Sequence, residues 1–504
     1  MKLKEYLIVL IISCAIASSA YSQTRSIQIV QANSLKYDRI TAPNLRKLIG
    51  DVILKHKGAL MYCDSAYFYA SRNMFEAFSN VHINQGDTTH LYADFINYTG
   101  DNEFTKARDN VRLENKNTIL FTDFLDYNTA TNSGNYQNGG RILSDETTVT
   151  SIKGDYSGET NDFFFKDSVF VDNPDYKIYS DTLVYNTETE MVYFQGPTDI
   201  ISDTTSMYCE DGWYDSQNDH AEFKKNAYLN NKKQTLRAQR LYYEKHTGYG
   251  EAEDDIVLVD STRDVILKGH TAFFNRHKEY MHITDDALLI SIHEGDSLFL
   301  HADTLETEIT DTTTENRIFR AFYQAKFFRS DIQGQCDSLV YNSQDSIIKL
   351  FKEPVLWSGD NQLTAEYMEG YIKNEVFDKV YMENHAMIIS IEDSTKFNQI
   401  KGKEITGFFE DNELHKLDVN GNAESIYFPK EKEDIIGMNK VESSTITIFI
   451  ENNQINNIIF RQKPSSVLSP LKEVGRADMF FPDFKWLEEH RPLSSRDVFI
   501  WNSE

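Results

Sequence analysis

The chain has 504 residues, which is too long for one ordinary hydrophobic core and favours several domains or an array of repeats. Its formal net charge of −27 argues against nucleic-acid binding, because an acidic surface repels phosphates. The 28 Tyr and 32 Phe argue against disorder and, with frequent Val, Ile and Thr, favour β-strands.

The first segment has the pattern of a secretory signal. Lys2 and Lys4 precede the apolar run YLIVLIISCAIA, and small residues follow in SSAYSQ. This order predicts a signal peptide over residues 1–22 that is cleaved near Ser22 and leaves an exported protein. A lipoprotein signal that ends at Cys14 is the alternative interpretation. No later segment is apolar and long enough to predict a membrane span.

A tyrosine then recurs every 29 residues. It closes segments such as ADFINY, TDFLDY and SDTLVY, which share a small residue, an acid and, four residues after the acid, the tyrosine. The six tyrosines in this register are Tyr98, Tyr127, Tyr156, Tyr185, Tyr214 and Tyr243. A period of this length is typical of stacked repeats, each of which fills the same place in the fold.

A second motif lies about half a period away and reads Asn or Asp, Val, any residue, Leu. Examples are SNVHI at 79–83, DNVRL at 109–113 and DSVFV at 167–171. Both motifs alternate apolar and polar residues with period two, as strands do. The pattern predicts two short strands per repeat, separated by Gly/Asn/Asp turns. The predicted fold class is all-β, an elongated stack of repeated antiparallel strands with a continuous apolar strip.

The register divides the chain after the signal peptide into three regions. We predict a β-repeat domain over 24–307, a second and more divergent β-repeat region over 317–460, and a proline-containing tail over 461–504. The polar segment EITDTTTENR at 308–317 is predicted to be a loop or domain joint. The tail has no repeat and is predicted to dock on the end of the stack or on a partner.

Alternation also predicts which side chains line the apolar strip. For any one of them, ordinary core packing without a ligand is at least an equal interpretation. The predicted lining residues are Val81, Ile83, Val111, Leu113, Val169, Val171, Leu183, Tyr185, Leu241, Tyr243, Leu339 and Tyr341.

Three cysteines follow the signal peptide, namely Cys63, Cys209 and Cys336, and each occupies the small position before the acid. Cys63 and Cys209 lie about five repeats apart, which at about 4.8 Å per strand is over roughly 20 Å, so we predict no intrachain disulfide. An odd number of thiols leaves pairing between chains open.

No catalytic residue, metal site or cofactor is predicted. His277 and His282 lie five residues apart, which on a strand places them on opposite faces. A ladder of repeated acids could hold calcium, but Asp also opens turns and strands by bonding nearby backbone N–H groups, and we favour that role. These acids are Asp94, Asp123, Asp181, Glu210 and Asp337.

These alternating motifs resemble a known family. The stretches LKYD…LIGDVILKHKGALMYCDSAYFY at 35–69 and EAFSNVHINQGDTTHLYADFINY at 76–98 are similar to OstA-like proteins. That family includes the periplasmic lipopolysaccharide-transport bridge of the LptA type and the N-terminal domain of the outer-membrane translocon. The resemblance covers about 30–250 well and 317–460 more weakly, and the length is similar to that of long OstA-like proteins of Bacteroidetes-type bacteria.

The resemblance implies a V-shaped β-jelly roll whose apolar interior holds lipid acyl chains. It implies a periplasmic, outer-membrane-associated transport or assembly factor for lipopolysaccharide or a related glycolipid, and not an enzyme. Other transport components would be partners that dock on edge strands. Two alternatives remain: a structural or adhesive solenoid with a closed core, and a polysaccharide lyase, for which the required Asp and Lys/Arg cluster is missing from the sequence.

Overall fold

The computed structural model describes residues 26–86, 88–293, 295–311, 316–373, 376–410, 413–431, 434–451 and 454–501. The predicted signal peptide and Cys14 lie outside these residues. The chain divides into two compact units, 1–218 and 219–504. Within the described residues both units consist of antiparallel strands with a few short 3₁₀ turns and no α-helix. The predicted all-β stack of antiparallel strands is confirmed.

In the first unit, strands mostly pair with the strands that precede and follow them along the chain. The strands are β1 Gln28–Gln31, β2 Ser34–Tyr37, β3 Leu45–His56, β4 Ala59–Tyr69, β5 Met74–Gln85, β6 Thr89–Thr99, β7 Phe104–Asn115, β8 Thr118–Asn128, β9 Ser133–Tyr136, β10 Gly140–Ser144, β11 Thr147–Ser151, β12 Lys153–Ser157, β13 Asp162–Asp172, β14 Lys177–Asn186, β15 Met191–Ile201 and β16 Ser206–Asp215.

The second unit continues the same pattern. Its strands are β17 His220–Asn230, β18 Gln234–Glu244, β19 Tyr249–Asp260, β20 Val265–Asn275, β21 Tyr280–Thr284, β22 Leu288–His293, β23 Asp296–His301, β24 Thr304–Asp311, β25 Asn316–Phe328, β26 Gln333–Asn342, β27 Ile347–Phe351, β28 Val355–Ser358, β29 Asn361–Thr364, β30 Tyr367–Lys373, β31 Val376–Ile391, β32 Phe397–Glu410, β33 Glu413–Tyr427, β34 Lys430–Glu431, β35 Asp434–Ile435, β36 Met438–Glu451, β37 Gln454–Arg461 and β38 Ser465–Ser469.

The 29-residue repeat is a hairpin of two strands. Each tyrosine of the register is the penultimate residue of its strand: Tyr98 in β6, Tyr127 in β8, Tyr156 in β12, Tyr185 in β14, Tyr214 in β16 and Tyr243 in β18. The segment predicted to be a loop or domain joint, 308–317, connects β24 to β25, which pair with each other. Its ends are therefore part of the sheet of the second unit.

The second motif marks a corner inside a strand. The prediction of two strands per repeat separated by turns is confirmed, but the strands are longer than predicted, with 12 residues in β5 and 11 in β6. Ser79 and Asn80 both have positive φ, 64° and 50°, and the ladder between β5 and β6 shifts register there. Two consecutive left-handed residues bend the strand as a bulge does, and Asn tolerates this conformation better than most residues. The equivalent pairs in the first unit are 50–51, 109–110 and 167–168.

The corner divides each long strand into two layers. Layer A contains residues 74–78 of β5 and the parts of the neighbouring strands that pair with them, such as 95–99 of β6. Layer B contains residues 81–85 of β5 and the parts that pair with those, such as 89–93 of β6. The side chains that face inward from both layers form the core: Phe75 and Ala77 from layer A, and Val81 and Ile83 from layer B. This bend lets the inward side chains of both layers face one interior.

Candidate functional site

The interior between layers A and B is the candidate site. In the first unit the residue that follows the corner is a buried valine, and it pairs across the ladder with the small residue before the acid. Val81 pairs with Ala93 and Val111 with Thr122. Both partners are buried. A small side chain is needed there because the bend brings the two layers close together at the corner.

The cysteines confirm this role of the small position. Cys63 pairs with Val52, and Cys209 and Cys336 occupy the same position in their strands. All three are free and buried. Burial raises the pKa of each thiol to about 12, so the reactive thiolate is scarce near neutral pH. They behave as small core residues.

The repeated acids lie opposite the corner. Asn110 Nδ2 donates a hydrogen bond of 2.6 Å to Asp94, and Asn80 Nδ2 donates one of 2.8 Å to Asp64. At Asp337 burial would raise the pKa, but hydrogen bonds from Lys352 and Ser338 outweigh it and hold the pKa below its usual value. The acids therefore bond groups at or beside the corner, which accounts for their repetition without a metal.

The other three acids lie at the same level. Asp181 accepts a hydrogen bond from Thr182, Glu210 accepts one from Tyr208, and Asp123 is exposed at the edge of a surface cleft. Among the described residues no group of three metal-ligating side chains comes together. His282 contacts Glu306 at 3.0 Å, while His277 lies in the turn that precedes β21.

All twelve predicted lining residues lie within strands and none is exposed. Eight are buried, namely Val81, Ile83, Val111, Val169, Val171, Leu183, Leu241 and Leu339. Leu113, Tyr185, Tyr243 and Tyr341 are half-buried. Their inward direction follows from the alternation, whereas contact with a lipid remains a prediction.

The free ends of layers A and B meet in the first unit. His56, at the layer B end of β3, is hydrogen-bonded through Nδ1 to the hydroxyl of Tyr98, at the layer A end of β6, at 2.7 Å. Their side chains are 2% and 3% exposed. These strands are separated by two others, so the contact requires the folded cross-section. The pair closes the interior at this level.

A small internal cavity lies beside this closure. It is lined by Ile83, Leu91 and Leu113 of layer B and by Thr105 and Tyr127 of layer A. Thr105 Oγ1 is buried and has no hydrogen-bond partner among the residues that the structure describes. The interior is thus apolar along the strands, with hydroxyl groups where the two layers meet.

Sequence reasoning missed a second buried surface, which lies on the outside of the second unit. There the C-terminal tail, residues 470–501, covers the outer face of layer B. Gln362 is fully buried; its Nε2 donates to Lys485 O at 2.8 Å and its Oε1 accepts from Leu487 N at 2.7 Å. Gln399 holds Met479 O and Phe481 N in the same way.

A signal for this contact was present in the sequence. Gln333, Gln362 and Gln399 each stand three residues before the small residue of their motif. Arg491 donates to Gln333, so the three glutamines contact the tail one after another. An amide at one register position of three repeats indicates a bound extended segment, because it can pair with both backbone groups of that segment.

The fold and its interior define a class of protein: repeated antiparallel hairpins bent at a corner around an apolar interior. Residues 24–181 match the sequence model of the OstA-like protein family. This part of the first unit is therefore similar to the OstA-like family. No curated protein matches the chain. Within the described residues, no helix is long and apolar enough to cross a membrane.

Proposed function

We propose that the protein shields the acyl chains of lipopolysaccharide or a related glycolipid during transport to, or assembly of, the outer membrane. It would act in the periplasm as a binding protein and not as an enzyme. The observation that carries the proposal is the repeated apolar interior of the first unit, since it lies largely within the segment that matches the OstA-like family.

The energetics of acyl chains make such an interior useful. Each buried CH₂ gains about 0.8 kcal/mol, so a chain of about twelve carbons exposed to water costs roughly 10 kcal/mol. The inward residues are similar from rung to rung: Val81 and Ile83 in β5 are followed by Val111 and Leu113 in β7. Similar surroundings at each rung would let a chain move along the stack without a deep trap.

The closure between His56 and Tyr98 determines how a lipid would enter. Layers A and B must separate at this level for an acyl chain to pass between them. Burial raises the pKa of the Tyr98 hydroxyl, and the negative charge of Glu103 raises it further. The Tyr98 hydroxyl is therefore uncharged near neutral pH. Separation therefore breaks one hydrogen bond and opens a small cavity that already exists.

The first edge of the stack supports docking of a partner by strand addition. β1 and β2 are short and pair only with β3 among the described strands. Four apolar side chains near this edge are exposed: Val30 55%, Leu35 51%, Tyr37 50% and Ile40 91%. A short edge flanked by exposed apolar side chains is suited to extension by another chain, such as a further transport component.

One observation favours a second candidate function, a structural or adhesive exported solenoid with a closed core. The interior residues Phe75 and Ile96 are fully buried by the surrounding protein, and the His56–Tyr98 contact closes the cross-section. A closed core would stabilise the stack and carry no lipid.

Photo-crosslinking in cells distinguishes the two candidates. Benzophenone would replace Tyr185, which faces inward in β14, and separately Tyr193, which faces outward in the adjacent β15 and is 38% exposed. We expect lipopolysaccharide adducts at Tyr185 and none at Tyr193. The same number of adducts at both positions, or no adduct at Tyr185 in folded protein, would reject the lipid-shielding function.

A further inference from the structure

A cleft of about 690 Å³ lies on the outer face of layer B in the first unit. It is lined by Tyr92, Asn110, Arg112, Phe121, Asp123 and Arg141, together with the glycine pair 139–140. Val111 and Thr122, which pair at the corner, also line it, whereas the tail contacts lie in the second unit. Its volume is within the range of small-molecule sites.

The two arginines are held by aromatic rings on neighbouring strands. Arg112 pairs with Tyr92 across the ladder, and its guanidinium lies 4.4 Å from the ring centroid. Arg141 pairs with Phe121 in the same way, at 4.8 Å. On its other face Tyr92 stacks on His82 with centroids 4.3 Å apart and planes at 6°. A guanidinium stacked on a ring keeps the N–H groups at its edge available.

The cleft occurs where the regular corner is interrupted. β8 pairs with two separate strands, β9 and β10, and residues 137–139 between them form no strand. Gly139 has a φ of +94°, and a Cβ there would meet nothing within 4 Å. Thr122 Oγ1 donates to Gly139 O at 2.8 Å and fixes this segment. The interruption leaves space that the regular corners fill.

The charges at the cleft select an anion of a particular kind. Arg141 is exposed and has no ion pair among the described residues, while Arg112 Nε lies 3.2 Å from Glu114 Oε1. Two guanidinium groups separated by the strand of Phe121, about 10 Å apart at strand spacing, attract anionic groups. The exposed carboxylate of Asp123 repels a dense polyanion but accepts hydrogen bonds from hydroxyl groups.

We propose that this cleft binds an anionic sugar, that is, a pyranose that carries a phosphate or a carboxylate. Arg141 pairs with the anionic group through its planar N–H edge, the charge of Arg112 adds to the attraction, and Asp123 accepts hydrogen bonds from the sugar hydroxyls. A nucleic acid or an anionic membrane surface is disfavoured by the net charge of −27. The sugar belongs either to the headgroup of a glycolipid or to a soluble acidic polysaccharide.

Saturation-transfer NMR titration of the full mature chain tests the site, with glucose 1-phosphate as the probe and glucose as the uncharged comparison. We expect saturable binding of the phosphate sugar and none of glucose. Arg141→Gln is expected to weaken the affinity at least about tenfold, and Arg112→Gln to act in the same direction. Because Arg141 is exposed, its replacement should leave the melting temperature unchanged.

The matched control is Arg237→Gln. Arg237 is also exposed, it lies over the ring of Tyr228 at 5.3 Å in the second unit, and it is not among the residues that line the cleft. The Arg237→Gln variant should bind glucose 1-phosphate with the same affinity as the unaltered protein. The proposal is overturned by the absence of saturable binding, by unchanged affinity in the Arg112→Gln/Arg141→Gln double variant, or by equal loss in Arg237→Gln.

The source of the sugar is decided by repeating the titration with tetragalacturonate and with lipopolysaccharide micelles. Stronger binding of the first identifies a polysaccharide, and stronger binding of the second a lipid headgroup. Crosslinking at Tyr185 in the Arg141→Gln variant separates this proposal from the interior lipid site. Loss of sugar binding with retained crosslinks would leave the interior function intact.

Discussion

The corner at Ser79–Asn80 predicts opposite effects for two replacements of the same residue. Asn80 has a φ of 50° and donates to Asp64 at 2.8 Å. Asn80→Gly loses this exposed hydrogen bond, which costs about 0.5–1.5 kcal/mol, but glycine adopts the left-handed conformation without strain. Asn80→Val loses the same bond and also forces a β-branched residue into that conformation, at a further cost of about 1–2 kcal/mol.

Because both replacements remove the same hydrogen bond, the difference between them isolates the backbone cost. Hydrogen exchange with mass spectrometry, on peptides that cover β5 and β6, measures it locally. A difference of about 1.4 kcal/mol corresponds to tenfold faster exchange in the valine variant than in the glycine variant.

The same two replacements at Asn97 provide the control. Asn97 lies within β6, on its outer face and away from the positive-φ residues. There valine suits an extended strand better than glycine, so the order of the two variants should reverse. Equal exchange of the two Asn80 variants, or the same order at both positions, would refute the assignment of the motif to a bent corner.

Three further outcomes are expected. Phe481→Ala leaves a cavity among Met387, Ile389 and Phe428, at a cost of up to about 3–5 kcal/mol in stability. It should make the tail susceptible to limited proteolysis, while β5–β8 stay protected. Unchanged cleavage of the tail would contradict the docking. Burial raises the pKa of Asp260, but hydrogen bonds from Thr262, Gln234 and Arg263 outweigh it and hold the pKa well below its usual value. The stability from Asp260 is therefore present above about pH 4 and lost as the pH falls through the lowered pKa, so Asp260→Asn should lower the melting temperature more at pH 7 than at pH 3. The three buried thiols should react with a thiolate-selective reagent at pH 8 only after denaturation, and rapid labelling of the native protein would show that they are accessible.

The periodic parts of the fold could be predicted from the sequence because each copy repeats the same packing. Tyr98 and its counterparts kept one register, and the small position of Ala93 and Cys63 was read correctly as a packing requirement. The corner at Asn80 was not predicted from the sequence, because Asn and Asp favour turns as well as left-handed bulges.

The contacts that lie outside the repeat could not be placed from the sequence. The His56–Tyr98 closure joins strands that are not neighbours, and nothing local to either residue indicates the other. The outer cleft depends on the interrupted corner near Gly139, which alternation does not reveal. Such contacts depend on the tertiary arrangement of the strands, so only the structure reveals them.

The tail that covers the second unit has a consequence for the order in which this protein folds. Successive hairpins contact residues that are close in sequence, so they can form as soon as they are synthesised or exported. The tail contacts span 123 residues between Gln362 and Lys485 and 174 between Lys326 and Ile500. Met387 and Ile389 therefore remain in water until the end of the chain arrives, and this unit is completed last.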